Sequence, residues 1–150
     1  MLISITGKLG SGKSTVCSIM KEKFGFTIYS TGAVQREYAR RLGISTLELN
    51  LRMNENPELD REIDETVTRL SLERKEDKLV FDSRMAWYFA KNTFKIFLTI
   101  DPHEAAVRVM KNQRGEEEKY IDVDDACEKL VKRSLVERDR FLDIYGVDYY

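Results

Sequence analysis

The apolar positions fall into short continuous runs separated by stretches of helical period. Met1-Leu2-Ile3-Ser4-Ile5 is a compact apolar run of the kind a buried strand shows. Residues 15–24 read as a helix that stops before Gly25, and Thr27-Ile28-Tyr29 reads as a second, shorter strand. A helix follows over 33–42, ended by Gly43. Ser45-Thr46-Leu47-Glu48 has the pattern of a capping box and opens another short helix, which Asn56-Pro57 breaks. From Glu58 to Glu73, Leu59, Ile63, Val67 and Leu70 recur at helical spacing. Lys78-Leu79-Val80-Phe81-Asp82 is the third strand, and residues 94–100 form the fourth and most apolar one. Asp101-Pro102 starts a helix with Ala105, Ala106 and Val109 inward. A long final helix begins at Asp122-Val123-Asp124-Asp125, acidic where the helix dipole favours acid, and runs to about Tyr145 before Gly146. Strands alternating with helices predict an α/β fold around a parallel sheet. Residues 30–73 stand out as a helical insertion between the second and third strands.

One stretch carries specific chemistry. Gly7-Lys8-Leu9-Gly10-Ser11-Gly12-Lys13-Ser14-Thr15 fits G-x-x-x-x-G-K-[ST] and lies between a strand and a helix, the context the motif requires. Gly7, Gly10 and Gly12 let main-chain N–H groups wrap a phosphate, with Ser11 and Thr15 in the same loop and the helix N-terminus adding positive partial charge. Lys13 is placed to reach the outer phosphates, and the Ser14 hydroxyl to ligate Mg²⁺.

Composition narrows the partners. At 150 residues the chain has the size of one ordinary domain, and a net charge of −1 gives no bulk field toward nucleic acid or membrane. Positive charge at a site must be local. There is no run of membrane-spanning length and no leader-like start, so a cytoplasmic protein is expected. Cys17 and Cys127 have no metal-type spacing; Cys17 reads as a small buried apolar residue. His103, the only histidine, reads as a surface residue of a first helical turn.

In an open α/β sheet, ligands sit beyond the carboxyl ends of the strands. Asp82 and Arg84 follow the third strand there, so Asp82 is a candidate for Mg²⁺ and Arg84 for a phosphoryl oxygen; a helix cap and a surface charge are the plain alternatives. Residues 108–120 are polar and hinged by Gly115, which suits either a solvated loop or a lid whose arginines reach a nucleoside triphosphate. Arg133, Glu137 and Arg140 share one helix face, which in an arbitrary helix would be a salt-bridged surface stripe.

Taken together these segments resemble the cytidylate kinase family of nucleoside monophosphate kinases, in its short archaeal and bacterial form. The resemblance spans residues 1–149. Besides Gly7–Thr15 it is carried by residues 30–36, 56–64, 82–84, 95–98 and 133–140, with Tyr145-Gly146-Val147-Asp148. It implies a three-layer P-loop sandwich with core segments 1–29, 74–107 and 121–150, an acceptor-binding insertion at 30–73 and a lid at 108–120. It implies phosphoryl transfer from ATP, with Mg²⁺, to CMP or dCMP. Carried over by position, Ser30, Gly32 and Arg36 receive the monophosphate and Arg84 faces the acceptor phosphate. Arg108 and Arg114 correspond to lid arginines at the donor. Arg133 and Arg140 converge on phosphates, with Glu137 orienting them. Small nucleotides would be the only partners, and the state a monomer or homodimer.

The chain departs from the family pattern in two places. Larger members carry Asp-Gly-Arg-Asp at the third strand, where the last acid helps choose the base; here the run is Asp82-Ser83-Arg84-Met85. Four strands in the order 2-3-1-4, with a fifth apparently absent, leave the fourth as an open edge. Two other readings stay open: a P-loop kinase for a shikimate- or sugar-like acceptor, and an ATP-binding module that senses without catalysing.

Overall fold

The computed structural model describes residues 1–75, 77–113 and 119–150. Its elements in chain order are β1 (Leu2–Gly7), α1 (Lys13–Phe24), β2 (Thr27–Ser30), α2 (Thr31–Leu42), α3 (Thr46–Glu55), α4 (Glu58–Glu73), β3 (Leu79–Asp82), α5 (Ala86–Phe89), β4 (Thr93–Leu98), α6 (Pro102–Lys111) and α7 (Val123–Tyr145). The described residues form two compact units.

The first unit comprises residues 1–7, 12–32 and 58–98 and holds the sheet. All its strand pairs are parallel, in the order β2-β3-β1-β4, as the sequence predicts. The register brings Ile5 and Ser30 level with Asp82, so β2 and β3 finish together while β1 runs on to Gly7 beside β4. β1 lies inside the sheet, and every one of its residues is buried, which explains its unbroken apolar start. Helices cover both faces. On one, Cys17 of α1 packs with Ile3, Ile5, Phe26 and Val80. On the other, Val67 of α4 packs with Leu2, Leu79, Phe81 and Ala86.

β4, the most apolar strand, is the edge strand, as the order expected from the sequence implies, and leaves Phe94 65% exposed. The short helix α5 has no sequence signal of its own; it forms where Ala86 and Ala90 are drawn into the core beneath β1 and β3.

The second unit comprises residues 8–11, 33–57 and 99–150. Ala105 and Ala106 of α6 pack against Ala126 and Leu130 of α7, small residues that let the two helices approach closely. Local sequence sets the helix ends as expected. Ser45 caps α3 by accepting from the Glu48 N–H at 3.0 Å, and Asp101 caps α6 ahead of Pro102. Asp122 caps α7, and Gly146, in the left-handed conformation, ends it. α4 packs on the sheet in the first unit, and α6 and α7 group with α2 and α3 in the second.

Candidate active site

The loop after β1 has the backbone that its glycines permit. Gly7, Gly10 and Gly12 adopt φ of +141°, +74° and +91°. A Cβ on Gly7 would lie 2.2 Å from the Leu98 carbonyl oxygen, and one on Gly10 would lie 2.8 Å from the Ala105 Cβ, so neither position accepts a side chain. Gly12 is the N-cap of α1 and, having no side chain, makes no side-chain cap hydrogen bond there. The Ser11 hydroxyl oxygen is enclosed and has no hydrogen-bond partner. Lys13 is buried, and its Nζ donates to the Gly7 carbonyl at 3.1 Å, folding the ammonium back along the loop. Ser14 is half-buried and Thr15 exposed at the start of α1.

The strand ends of the first unit bring further predicted residues together. Asp82 is buried at the end of β3, and the Ser30 hydroxyl donates to its Oδ2 at 3.0 Å. The Thr31 hydroxyl donates to the Asp82 carbonyl at 3.4 Å, so the polar run after β2 is tied to β3. The Ser83 N–H donates to the Ile5 carbonyl, and the Thr6 hydroxyl donates to the Arg84 carbonyl at 3.0 Å. These bonds fix the backbone from which the half-buried Arg84 side chain emerges. Cys17 lies within electrostatic reach of both Asp82 and Lys13. Burial, first, and the Asp82 charge push its thiol up to about 12, with Lys13 opposing. That thiol is a packing group and not a nucleophile.

The second unit holds the helix-face set. Arg133, Glu137 and Arg140 are 6%, 2% and 3% exposed, which removes the surface-stripe alternative. Arg133 Nε donates to Glu137 Oε1 at 2.9 Å and its Nη1 to Thr46 Oγ1 at 3.3 Å. Arg140 Nη1 donates to the carbonyl of Asn50 at 3.1 Å and to its Oδ1 at 2.9 Å. Asn50 Nδ2 in turn donates to the Thr46 carbonyl. Thr46 and Asn50 were not singled out by sequence reasoning. The available signal was a pair of polar residues one turn apart in a helix that must bury a face.

The remaining predicted residues are placed as follows. Gly32 and Arg36 lie in the first half of α2, both half-buried. Arg108 is exposed in the last turn of α6, and Arg114 lies outside the described residues. His103 is exposed in the first turn of α6, as expected. Cys17 and Cys127 are both free thiols. Among the described residues no cluster of three or more His, Cys, Asp or Glu side chains could hold a metal, and no helix is long and apolar enough to cross a membrane.

Comparison with known proteins adds to this geometry. A family model described as an AAA domain matches residues 3–131. The cytidylate kinase of Thermoplasma acidophilum is 35% identical over 99% of this chain and 77% of its own length. That of Thermococcus kodakarensis is 32% identical over 99% of this chain and 72% of its own. Among solved structures, a deoxyadenosine kinase from M. mycoides with bound dATP superimposes with a TM-score of 0.54 at 19% identity, over 99% of this chain and 91% of that one. The last shows the shared fold. With the glycine loop, the sheet order and relatives of this identity, the chain belongs to the cytidylate kinase family of P-loop nucleoside monophosphate kinases.

Proposed function

We propose that the chain transfers the γ-phosphoryl of ATP to a nucleoside monophosphate, with CMP or dCMP as acceptor. The observation that carries this reading is the loop at Gly7–Ser14. Three left-handed glycines, a helix start without a side-chain cap, an unpartnered Ser11 hydroxyl and Lys13 lying along the loop support its reading as a phosphate cradle. The relatives named cytidylate kinase support the choice of acceptor.

In this reading Lys13 and the loop amides bind the donor phosphates, with Arg108 and Arg114 assigned to the same nucleotide. Ser30, Gly32, Arg36 and Arg84 take the acceptor. Arg133 and Arg140 meet the charge of the transferred group, and Glu137 orients Arg133. The oxygen donors Ser14 and Asp82 fit a hard divalent cation, which keeps several waters and needs few protein ligands. Mg²⁺ held there would neutralise charge between the donor phosphates. The acceptor phosphate is already ionised near neutral pH. No general base is needed, consistent with an exposed His103 and a protonated Cys17. Catalysis then consists of positioning and of fixed positive charge.

A coupled assay of ADP release with CMP, dCMP, UMP, AMP, GMP and dTMP tests the reading. Turnover is expected with CMP or dCMP. Arg133→Ala should lower it by about 10²-fold or more, and Lys13→Met should abolish it. Release of ADP with none of the monophosphates would remove the proposal and leave an ATP binder or a kinase of another acceptor.

A further inference from the structure

α3 encloses a residue that helices seldom bury. Asn50 lies mid-helix and is 0% exposed, on the face that also buries Leu49 and Met53. Asparagine is a poor helix former, and an enclosed amide costs free energy unless its polar atoms are bonded. Here they are bonded. Nδ2 donates to the Thr46 carbonyl at 2.7 Å, one turn back. That bond fixes which way the amide faces. Oδ1 is turned to Arg140 of α7, and the flipped amide would set its N–H groups against those of the guanidinium.

Arg140 Nη1 donates both to this Oδ1, at 2.9 Å, and to the Asn50 carbonyl, at 3.1 Å. The two oxygens belong to one residue of one helix, so together they fix the place of Nη1 and the rotation of the guanidinium plane. The face of that plane meets the Phe141 ring, with Cζ 5.0 Å from the ring centroid. Phe141 is itself buried and stacks on Tyr145 with the ring planes 12° apart. Arg140 is thus held at one nitrogen by α3 and at its face by α7. An amide carries no charge, so this contact aims the guanidinium without cancelling its field. Thr46, one turn earlier on α3, makes the parallel contact to Arg133 through its hydroxyl.

We propose that Asn50 is a positioning residue for phosphoryl transfer, holding the Arg140 guanidinium in the orientation in which it meets the transferred group. This rests on the phosphoryl-transfer reading above, in which Arg140 acts on the transition state. An arginine side chain has many rotamers, and fixing it before the reaction removes that ordering cost from the chemical step. Displacing a charged group by about 1 Å costs about 10²-fold in rate. A leucine at position 50 would give α3 the same buried face without the bond, so packing alone does not account for an amide there.

The test is a double-mutant cycle on kcat in the full chain, with ATP and CMP as substrates. Asn50→Ala should lower kcat by about 10- to 10²-fold and leave KM for ATP within about 3-fold, as expected for an interaction lost in the transition state. In the Arg140→Ala background the same change should alter kcat by less than about 2-fold, because the residue through which Asn50 acts is gone. Equal factors in the two backgrounds would show Asn50 to be a structural residue of α3 and overturn the proposal. Wild-type kcat in Arg140→Ala would overturn it too. Should the alanine variant fail to fold, Asn50→Leu keeps a branched side chain without an acceptor and carries the same cycle. Absence of wild-type turnover with every monophosphate would instead fail the phosphoryl-transfer reading, and this proposal with it.

Discussion

Replacing Glu137 by alanine puts the buried face of α7 to a quantitative test. The Arg133 and Glu137 side chains are 7% and 2% exposed, and their ion pair is 2.9 Å long. Removing the carboxylate leaves the guanidinium enclosed, with the Thr46 hydroxyl among its contacts. Breaking a buried pair from one side costs about 3–5 kcal/mol, because desolvation of the remaining charge is no longer offset. Against a total stability of about 5–15 kcal/mol that is a large fraction. At about 2–4 °C per kcal/mol for a chain of this size, Tm should fall by roughly 6–20 °C. The internal control is Glu48→Ala. Glu48 pairs with Arg52 on α3 at 3.1 Å, with side chains 46% and 56% exposed. Exposed helix pairs of this spacing contribute about 0.2–0.5 kcal/mol. Glu137→Gln keeps the shape and one acceptor oxygen, so it should fall between the two. Urea unfolding followed by circular dichroism measures all three, with the slope m checked for constancy. If Glu137→Ala unfolds within about 1 kcal/mol of Glu48→Ala, the pair behaves as a solvated one and the burial argument fails. A Glu137→Gln chain that is folded but slow in ADP release would assign Glu137 to orienting Arg133.

Other outcomes follow from single features. Gly7→Ala should destabilise by more than about 3 kcal/mol, since its Cβ would strike the Leu98 carbonyl in the neighbouring strand, whereas Gly146→Ala, with open space and φ of +66°, should cost only about 1–2 kcal/mol; equal urea midpoints would refute the contact. Cys17 stays protonated in the folded chain up to about 12, against an ordinary value of 9.0, so the native state holds the extra proton between those values. Its contribution is therefore full below pH 9 and declines as pH rises toward 12, and Cys17→Ala should flatten the alkaline loss of stability; identical slopes in the two proteins would contradict this. Ser45→Ala removes the cap of α3 and should cost about 0.5–2 kcal/mol in urea unfolding. Because α3 supplies Thr46 and Asn50 to Arg133 and Arg140, ADP release should slow beyond what the unfolded fraction explains.

Much of this was legible in the chain because it is written in short-range signals. The glycine loop, the caps at Ser45, Asp101 and Asp122, and the helix stop at Gly146 depend on local backbone requirements that few residue types meet. The single face of Arg133, Glu137 and Arg140 follows from helical period alone. What period cannot give is the direction in which such a face points. Its burial depends on Thr46 and Asn50, some 90 positions earlier in the chain. For β4, hydropathy alone reports a strand, and the sheet order expected from the sequence makes it an edge.

α4 shows the limit most clearly. The apolar series Leu59, Ile63, Val67 and Leu70 locates the helix correctly but not its most buried line. Leu59 and Leu70 are only half-buried. The enclosed stripe runs through Asp60, Asp64, Val67 and Ser71, at spacings of four, three and four residues. That stripe has the helical period as cleanly as the apolar one, yet a hydropathy scale scores two of its members as solvent-seeking. A buried carboxylate is held by polar partners that a hydropathy scale does not score. Where hydropathy and burial disagree within one helix, the disagreement itself marks the residues to test.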